Sequence, residues 1–268
     1  MFIDTHVHFG KSAGFEMPKE TVLTAMEKYD VSAAIVSNSE SVEADTSHNL
    51  LPANLQKSQV DTAKETIDFA KDNPGKIYAA IWIKPHTEQP TPEFEYLLKA
   101  HPTLVKAIKV HPFYSALQFD DPKVESYIQL AQNLELPVIT HSADDDFSCC
   151  KRVYNMAKKY PDVRFVMAHL GLGTDNEEAI ELCAKQENLF GDTAWVPVEK
   201  AIKFIQKCGS EKLMFGSDMP IDGLDTYATN KTGKPSIYVP YFSQLQNMIP
   251  SKDFENLMFK SARNFYHF

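Results

Sequence analysis

The chain has 268 residues, of which 43% are hydrophobic and 24% are charged, a balance typical of a globular protein with a sizeable apolar core. Its formal net charge of −9 opposes contact with a phosphate backbone, and no stretch approaches the roughly 18 apolar residues of a membrane span, so we expect neither nucleic acid nor membrane as a partner. The four cysteines form no CxxC pair, and no basic and apolar leader precedes the first strand, which favours a reduced, cytoplasmic protein.

Short apolar runs alternate along the chain with segments whose apolar residues recur at helical spacing. We predict eight strands, at residues 2–8, 33–37, 77–83, 104–110, 136–140, 163–168, 189–192 and 212–216. Eight strand–helix units predict an α/β fold, a (β/α)8 TIM barrel with parallel strands, in which residues 1–268 form a single domain. A doubly wound open sheet is the alternative, but His8-Phe9-Gly10-Lys11 stands where that fold favours a GxGxxG turn.

Two predicted connections are longer than the others. Residues 38–58 follow the second strand and residues 219–237 follow the eighth, both on the face where barrel enzymes carry their active sites. Loops of this length are typically lids or mobile segments, and surface decoration is the alternative. Tyr227 and Lys231 of the last loop are candidates for contact with a substrate.

Histidines recur at the C-terminal ends of the predicted strands. His6 and His8 belong to Asp4-Thr5-His6-Val7-His8, and side chains two apart on a strand share a face, so both imidazoles can bind one cation at about 2.0–2.1 Å. Equivalent strand-end positions are occupied by His111, His141, His169 and Asp218. A single histidine at a strand end is usually structural, but this set predicts a metal site at the mouth of the barrel.

These strand-end segments resemble the amidohydrolase superfamily of metal-dependent hydrolases, in particular its amidohydrolase-related branch, also called amidohydrolase 2. The matching segments are DTHVH, IKVHP, ITHS, MAHLG, GSDMP and the terminal SARNFYHF. The resemblance implies that His6, His8, His141 and Asp218 bind one divalent metal ion, which we expect to be zinc, with manganese or iron as alternatives. It also implies that His169 either contacts the metal or polarises the substrate.

The chemistry of this residue set agrees with the resemblance. A divalent cation held by three neutral imidazoles and one carboxylate stays net positive and lowers the pKa of a bound water towards about 7. Asp218 can take the proton of that water, and His169 can hydrogen-bond a substrate oxygen, so we predict both as catalytic residues.

The predicted substrate-binding residues are Lys109, His111, Trp82 and Trp195. Superfamily members with two metals bridge them with a carboxylated lysine or a glutamate on the fourth strand; Lys109 is a candidate for that role, although we expect one metal. His111 is equally open to a structural role at the turn before Pro112, and both tryptophans to core packing.

Hydrolysis of a small amide, lactone or ester is the favoured function. Non-oxidative decarboxylation of a small carboxylic acid is the alternative, but the three arginines (Arg152, Arg164 and Arg263) lie away from the predicted strand ends, which leaves lysines to hold a carboxylate. The third hypothesis is a non-catalytic barrel that acts as a binding module. The intact set of candidate metal ligands argues against it. The resemblance is also compatible with a homo-oligomer.

Overall fold

The computed structural model describes residues 2–12 and 14–268. The strands of this described part are β1 (Phe2–Ser12), β2 (Phe15–Met17), β3 (Val31–Asn38), β4 (Ile77–Trp82), β5 (Val105–Val110), β6 (Val138–Ala143), β7 (Phe165–Leu172), β8 (Leu189–Asp192) and β9 (Leu213–Met214). They form one sheet in the order β2-β1-β3-β4-β5-β6-β7-β8-β9. Every pairing is parallel except that of β1 with β2, a short antiparallel hairpin that the sequence analysis missed.

Helices follow the parallel strands, and most of them cover the outside of the sheet. They are α1 (Lys19–Lys28), α2 (Gln59–Asp72), α3 (Pro92–Lys99), α4 (Pro112–Ser115), α5 (Pro122–Asn133), α6 (Cys150–Lys159), α7 (Glu177–Lys185), α8 (Val198–Cys208), α9 (Val239–Ser243), α10 (Ser251–Glu255) and α11 (Ser261–Tyr266). A π-helical turn at Asn256–Lys260 joins α10 to α11. No helix of the described residues is long and apolar enough to cross a membrane.

Local sequence explains where these helices begin. The Thr91 side chain accepts a hydrogen bond from the Phe94 N–H at the start of α3, and Asp121 caps α5 in the same way; a proline occupies the first turn of each helix. Val124, Tyr127, Ile128 and Ala131 recur at helical spacing, and they form the buried face of α5.

The sheet curls round until β1 meets the segment that follows β9. Backbone N–H groups of Thr5, Asp218 and His8 donate across this seam to Phe215, His6 and Met219 at 2.8–2.9 Å. The seam contains an isolated parallel bridge and no continuous ladder, since regular pairing of β9 ends at Met214. The predicted barrel is therefore confirmed as an α/β fold with a curled parallel sheet, whereas its closure is only partial.

Two apolar layers lie on opposite faces of the strands. The outer layer packs between sheet and helices. The inner layer fills the barrel and is closed at the N-terminal end of the strands by α11; its buried members are Ile3, Ala33, Ile35, Ala80, Ala107, Ile139, Val166, Ala168, Met214, Ala262, Phe265 and Tyr266. The polar site described next lies above this inner layer, at the C-terminal ends of the strands.

Both long connections are attached to the body of the protein. In residues 38–58 the Glu43 carboxylate is fully buried and accepts hydrogen bonds from the backbone N–H and hydroxyl of Thr87, each at 2.7 Å. In residues 219–237 the buried Tyr227 hydroxyl donates to Asp4 of β1 at 2.7 Å. Ser39, Val42 and Ile221 of these connections line the cavity above the inner layer.

Candidate metal centre

An irregularity in β1 turns both histidines of the first motif into the barrel. The pairing of β1 with β3 shifts register between Asp4 and Val7. One extra residue on a strand exchanges its inward and outward side chains. Ile3 therefore belongs to the inner layer and Val7 to the outer one, while His6 and His8 line the cavity.

Four candidate ligands converge at this point. The Nε2 atoms of His6 and His8 lie 3.2 Å apart, and Oδ1 of Asp218 lies 3.3 Å from the first and 3.0 Å from the second. The ligand atoms offered by His6, His169 and Asp218 all lie within 4.8 Å of one another. The structure thus brings together residues from β1, from β7 and from the segment after β9.

Hydrogen bonds at Nδ1 determine which ring nitrogen each of two histidines presents. His6 Nδ1 lies 2.8 Å from an Asp192 carboxylate oxygen, and His169 Nδ1 lies 3.1 Å from the Ala194 carbonyl oxygen. Both oxygens can only accept, so the proton of each neutral imidazole is on Nδ1 and Nε2 carries a lone pair. Burial lowers the pKa of His169 to about 4, against the influence of Asp218, and this keeps the ring neutral. The tautomer favours a ligand role for His169 over donation to a substrate oxygen.

His8 is compatible with the same arrangement. Its Nδ1 lies 2.8 Å from the Ser37 hydroxyl, which donates to the Val7 carbonyl oxygen at 3.5 Å and can therefore accept a hydrogen bond from the ring. His8 Nε2 is then also a free lone pair that faces His6 and Asp218.

Lone pairs that converge in this way repel one another unless a positive charge lies between them. Lys109 supplies one such charge, since its buried Nζ lies 2.9 Å from His6 Nε2. Burial lowers the pKa of Lys109 to about 8, although Asp192 and Asp218 oppose the shift. Imidazole nitrogen and carboxylate oxygen are also the donors that zinc and manganese bind, so the residues fit a divalent cation.

Asp218 is held by the indole of Trp195. The Nε1–H group of Trp195 donates to Asp218 Oδ2 at 2.8 Å, which leaves Oδ1 to face the histidines. Both residues have left-handed backbones, with φ of 60° for Trp195 and 62° for Asp218. Burial raises the pKa of Asp218, whereas the charged forms of His6 and His8 lower it. The indole N–H also stabilises the ionised form of this carboxylate.

Asp192 is a functional candidate that the sequence analysis missed. It is buried at the end of β8; one carboxylate oxygen binds His6 Nδ1, and the other accepts the backbone N–H groups of His169 at 2.9 Å and Ala194 at 3.1 Å. Burial raises the pKa of Asp192, opposed by His169 and Lys109. The strand-end rule that selected the histidines applies equally to this residue.

Asp4 forms a second buried network behind β1. Its carboxylate accepts hydrogen bonds from the Ser217 hydroxyl, the Tyr227 hydroxyl and the His6 N–H. Burial raises its pKa to about 7, although these three donors oppose the rise. Asp4 therefore joins the HxH segment to the residue before Asp218. The first motif contains this aspartate, but the sequence gives no signal that its partners come from residues 217 and 227.

The candidate centre forms the base of a cavity of about 440 Å³. The ring of His111 lies nearly parallel to that of His141, with centroids 4.0 Å apart, and to that of Trp82 at 5.2 Å. Apolar and aromatic side chains make up most of the remaining wall: Phe15, Met17, Val42, Phe113, Tyr114, Leu172, Trp195 and Ile221. No arginine or lysine is among the described residues that line it.

The structure brings most of the predicted site residues to this cavity. All predicted metal ligands line it, together with His169, Trp82, His111 and Trp195. The ring centroid of His141 lies 4.7 Å from that of His169, but His141 is outside the compact group of His6, His169 and Asp218. Lys109 lies behind the wall against His6, Tyr227 binds Asp4, and Lys231 lies over the ring of Phe15. The roles predicted for these side chains remain predictions.

Several solved structures share this fold. The 2,6-dihydroxybenzoate decarboxylase from Rhizobium superposes with a TM-score of 0.70 and 12% sequence identity, covering 99% of this chain and 98% of that chain. The 5-carboxyvanillate decarboxylase from Novosphingobium aromaticivorans, complexed with manganese and 4-hydroxy-3-methoxy-5-nitrobenzoic acid, gives a TM-score of 0.72 and 12% identity over 100% and 96% of the two chains. A probable 2-pyrone-4,6-dicarboxylic acid hydrolase from Acinetobacter baumannii, with citric acid bound, gives 0.66 and 12% over 100% and 99%.

At these identities the likeness shows the fold alone. No curated protein matches the chain in sequence. A model of the amidohydrolase family, however, matches residues 3–233. This match spans most of the sequence and confirms the resemblance found in the strand-end motifs: the chain belongs to the amidohydrolase family.

Proposed function

We propose that this protein is a metal-dependent hydrolase that cleaves a small amide, lactone or ester. The convergence of Asp218 Oδ1 with the Nε2 atoms of His6 and His8, at the base of a largely apolar cavity, carries the proposal. A divalent cation bound by these residues would supply Lewis acidity to a substrate oxygen and would lower the pKa of a bound water. Zinc is the expected ion, with manganese as the alternative because related folds bind it.

The contacts of each side chain indicate its role. His6, His8 and His169 present Nε2 lone pairs, and His141 is the further predicted ligand. Asp218 acts as general base, since the Trp195 N–H stabilises its ionised form and holds its second oxygen, which leaves Oδ1 to face the histidines. Asp192 orients His6 and the backbone of His169, as the outer-shell partner of a ligand does.

The cavity indicates the class of substrate. Its volume of about 440 Å³ fits a small molecule, and its aromatic walls fit a flat or apolar one. No cationic side chain lines the described wall, which favours an uncharged acyl compound over a dicarboxylate. Trp82, His111 and Trp195 are the proposed contacts with the body of that substrate.

Decarboxylation of an aromatic acid is the second candidate. The aromatic walls favour it, and several structures of similar fold are named as decarboxylases of benzoate derivatives. Such a reaction requires a group that donates a proton to carbon after carbon dioxide leaves. No cationic side chain lines the described wall to hold a substrate carboxylate, and for this reason we place hydrolysis first.

A substrate screen on metal-loaded protein tests both candidates. Small aryl esters, lactones and amides should be cleaved, while aromatic carboxylic acids should release no carbon dioxide. Asp218→Asn should lower turnover by about 10²- to 10⁴-fold, the usual contribution of a general base. Asp222→Asn, shortly after Asp218 in the chain, is the matched control and should keep its activity, since its carboxylate accepts a hydrogen bond from the Lys231 N–H and is not among the described residues that line the cavity.

Two results would overturn this assignment. Carbon dioxide release without cleavage of any acyl compound would establish the second candidate. Full turnover by protein that contains no transition metal, as measured by elemental analysis, would remove the metal from the mechanism.

A further inference from the structure

A second cavity lies at the opposite end of the barrel from the candidate metal centre. Its volume is about 510 Å³, and it is lined by residues at the N-terminal ends of β5, β6 and β7 together with the end of α11. Leu98, Leu134, Leu136 and Phe265 give it an apolar wall. The mechanism proposed above makes no use of this cavity.

Lys106 places a buried positive charge in the wall. Only 8% of its surface is exposed, and Nζ donates to the His267 carbonyl oxygen at 2.9 Å. The ammonium group lies 5.3 Å from the ring centroid of Tyr78 and 5.6 Å from that of Phe268. It forms no ion pair with a carboxylate of the described chain, and burial lowers its pKa accordingly.

Arg164 places a second charge in the same wall. One Nη1–H group donates to the Phe265 carbonyl oxygen at 2.6 Å, and the guanidinium carbon lies 4.5 Å from the centroid of the Phe265 ring. A guanidinium has five N–H donors in a planar fork, and no carboxylate of the described residues pairs with this one. Arg164 therefore retains donor capacity for a planar acceptor.

Tyr266 adds a buried polar group without a partner. This residue lines the cavity and is 3% exposed, and its hydroxyl has no hydrogen-bond partner among the described residues. Buried hydroxyls without a hydrogen-bond partner are uncommon in folded proteins.

Capping of α11 explains only part of this arrangement. Lys106 and Arg164 both bind carbonyl oxygens at the C-terminal end of the helix, where positive charge is favourable. Capping does not require an apolar cavity beside the two cations. The other lining charges, Lys99 and Glu135, are exposed, and Lys99 is already paired with Glu95.

We propose that this cavity binds a small organic anion, with a carboxylate or phosphate group held by Lys106 and Arg164. The apolar or aromatic body of the ligand would lie against the leucines and Phe265. Arg164 suits either group, because its fork matches the oxygens of carboxylates and phosphates alike. The proposal does not depend on the proposed function, since the two cavities lie at opposite ends of the strands.

Calorimetric titration of the full chain with benzoate, phenyl phosphate, inorganic phosphate and neutral benzamide tests the site. At least one of the two aromatic anions should bind at one site with a dissociation constant on the order of 1 mM, as befits a ligand of about ten non-hydrogen atoms. Inorganic phosphate and benzamide should each bind at least about tenfold more weakly, because phosphate lacks the aromatic ring and benzamide lacks the negative charge. The preferred aromatic anion distinguishes carboxylate from phosphate as the bound group.

Variants show which cavity the anion occupies. Lys106→Met should weaken binding by about tenfold or more, the usual value of a charged hydrogen bond, while Lys99→Met in the exposed rim should change it less than about twofold. His8→Ala at the other cavity should leave the affinity unchanged. If Lys106→Met fails to fold, Arg164→Lys, which keeps the charge but loses the fork, should weaken binding by at least about threefold.

The proposal fails if neither aromatic anion binds in the millimolar range, or if benzamide binds equally well. It also fails if the affinity is unchanged in Lys106→Met, or in Arg164→Lys where that variant replaces it. Loss of binding in His8→Ala would place the anion in the metal-centre cavity instead.

Discussion

At the N-terminal end of the barrel the inward side chains are apolar and pack on α11, whereas two residues farther along the same strands they are polar and contact the candidate metal centre. Ile35 of β3 is followed on the same face by Ser37, which binds His8; Ile139 of β6 is followed by His141. Because strand side chains alternate, one face carries both a stabilising and a functional layer, separated by about 6–7 Å of strand.

The two layers differ in backbone conformation as well as in chemistry. His169, Trp195 and Asp218 all have positive φ, and all lie at the functional end. Non-glycine residues in this region carry strain that the surrounding structure must stabilise. The comparison therefore predicts that substitutions in the lower layer change stability, whereas substitutions in the upper layer change metal binding and catalysis.

His6→Ala is expected to have the largest effect on metal binding and catalysis. This change removes a predicted ligand that lies within reach of His8, Asp218 and Lys109, so bound metal and turnover should fall together, by more than the 10- to 100-fold typical of an outer-shell loss. Elemental analysis and a turnover assay measure both. His101→Ala is the control, because this ring hydrogen-bonds the Leu97 carbonyl oxygen and is not among the described residues that line the cavity; equal losses in the two variants would contradict the ligand assignment.

In the lower layer, Ile35→Ala should reduce the free energy of unfolding by about 2–5 kcal/mol, because it leaves a cavity in a fully buried position. Urea denaturation measures the change. Metal content per folded molecule should stay the same, and a loss of metal in this variant would show that the two layers are not separable.

Asp192→Asn should lower turnover or metal affinity by about 10- to 100-fold, less than the loss of a ligand. The amide of asparagine has one acceptor oxygen and one NH2 donor, so either the hydrogen bond from His6 Nδ1–H or the pair of hydrogen bonds from the backbone is lost. Asp72→Asn, on the exposed side of α2, is the matched control. A turnover equal to that of the parent chain would show that Asp192 does not position His6.

The smallest effect is expected on the surface, away from both layers. Lys200 and Lys203 lower the pKa of Glu177 to about 2, from a usual value of 4.5. A lowered folded-state pKa gives stability that is present above 4.5 and is lost as the pH falls towards 2. Glu177→Gln should remove this small pH-dependent part of the unfolding free energy, whereas Glu178→Gln, which forms no ion pair in the described structure, should retain it. Identical acid profiles in both variants would show that the pair contributes nothing measurable.

Several features of this protein could be predicted from the sequence because they depend on local periodicity. The period-two spacing of His6 and His8, the apolar face of α5 and the strand-end positions of His141, His169 and Asp218 all follow from neighbours in the chain. The family match, over residues 3–233, includes all of these segments.

Other features depend on contacts between distant segments, and the tertiary structure alone decided them. The one-residue register shift in β1 determines that the histidines face the cavity and Val7 does not, and spacing alone cannot place it. Asp192 and Asp4 gained their roles from partners many residues away, and the β1–β2 hairpin adds Phe15 to the cavity wall. Local sequence sets which side chains share a face, but only packing of the whole sheet selects which face becomes the interior and which strands meet there.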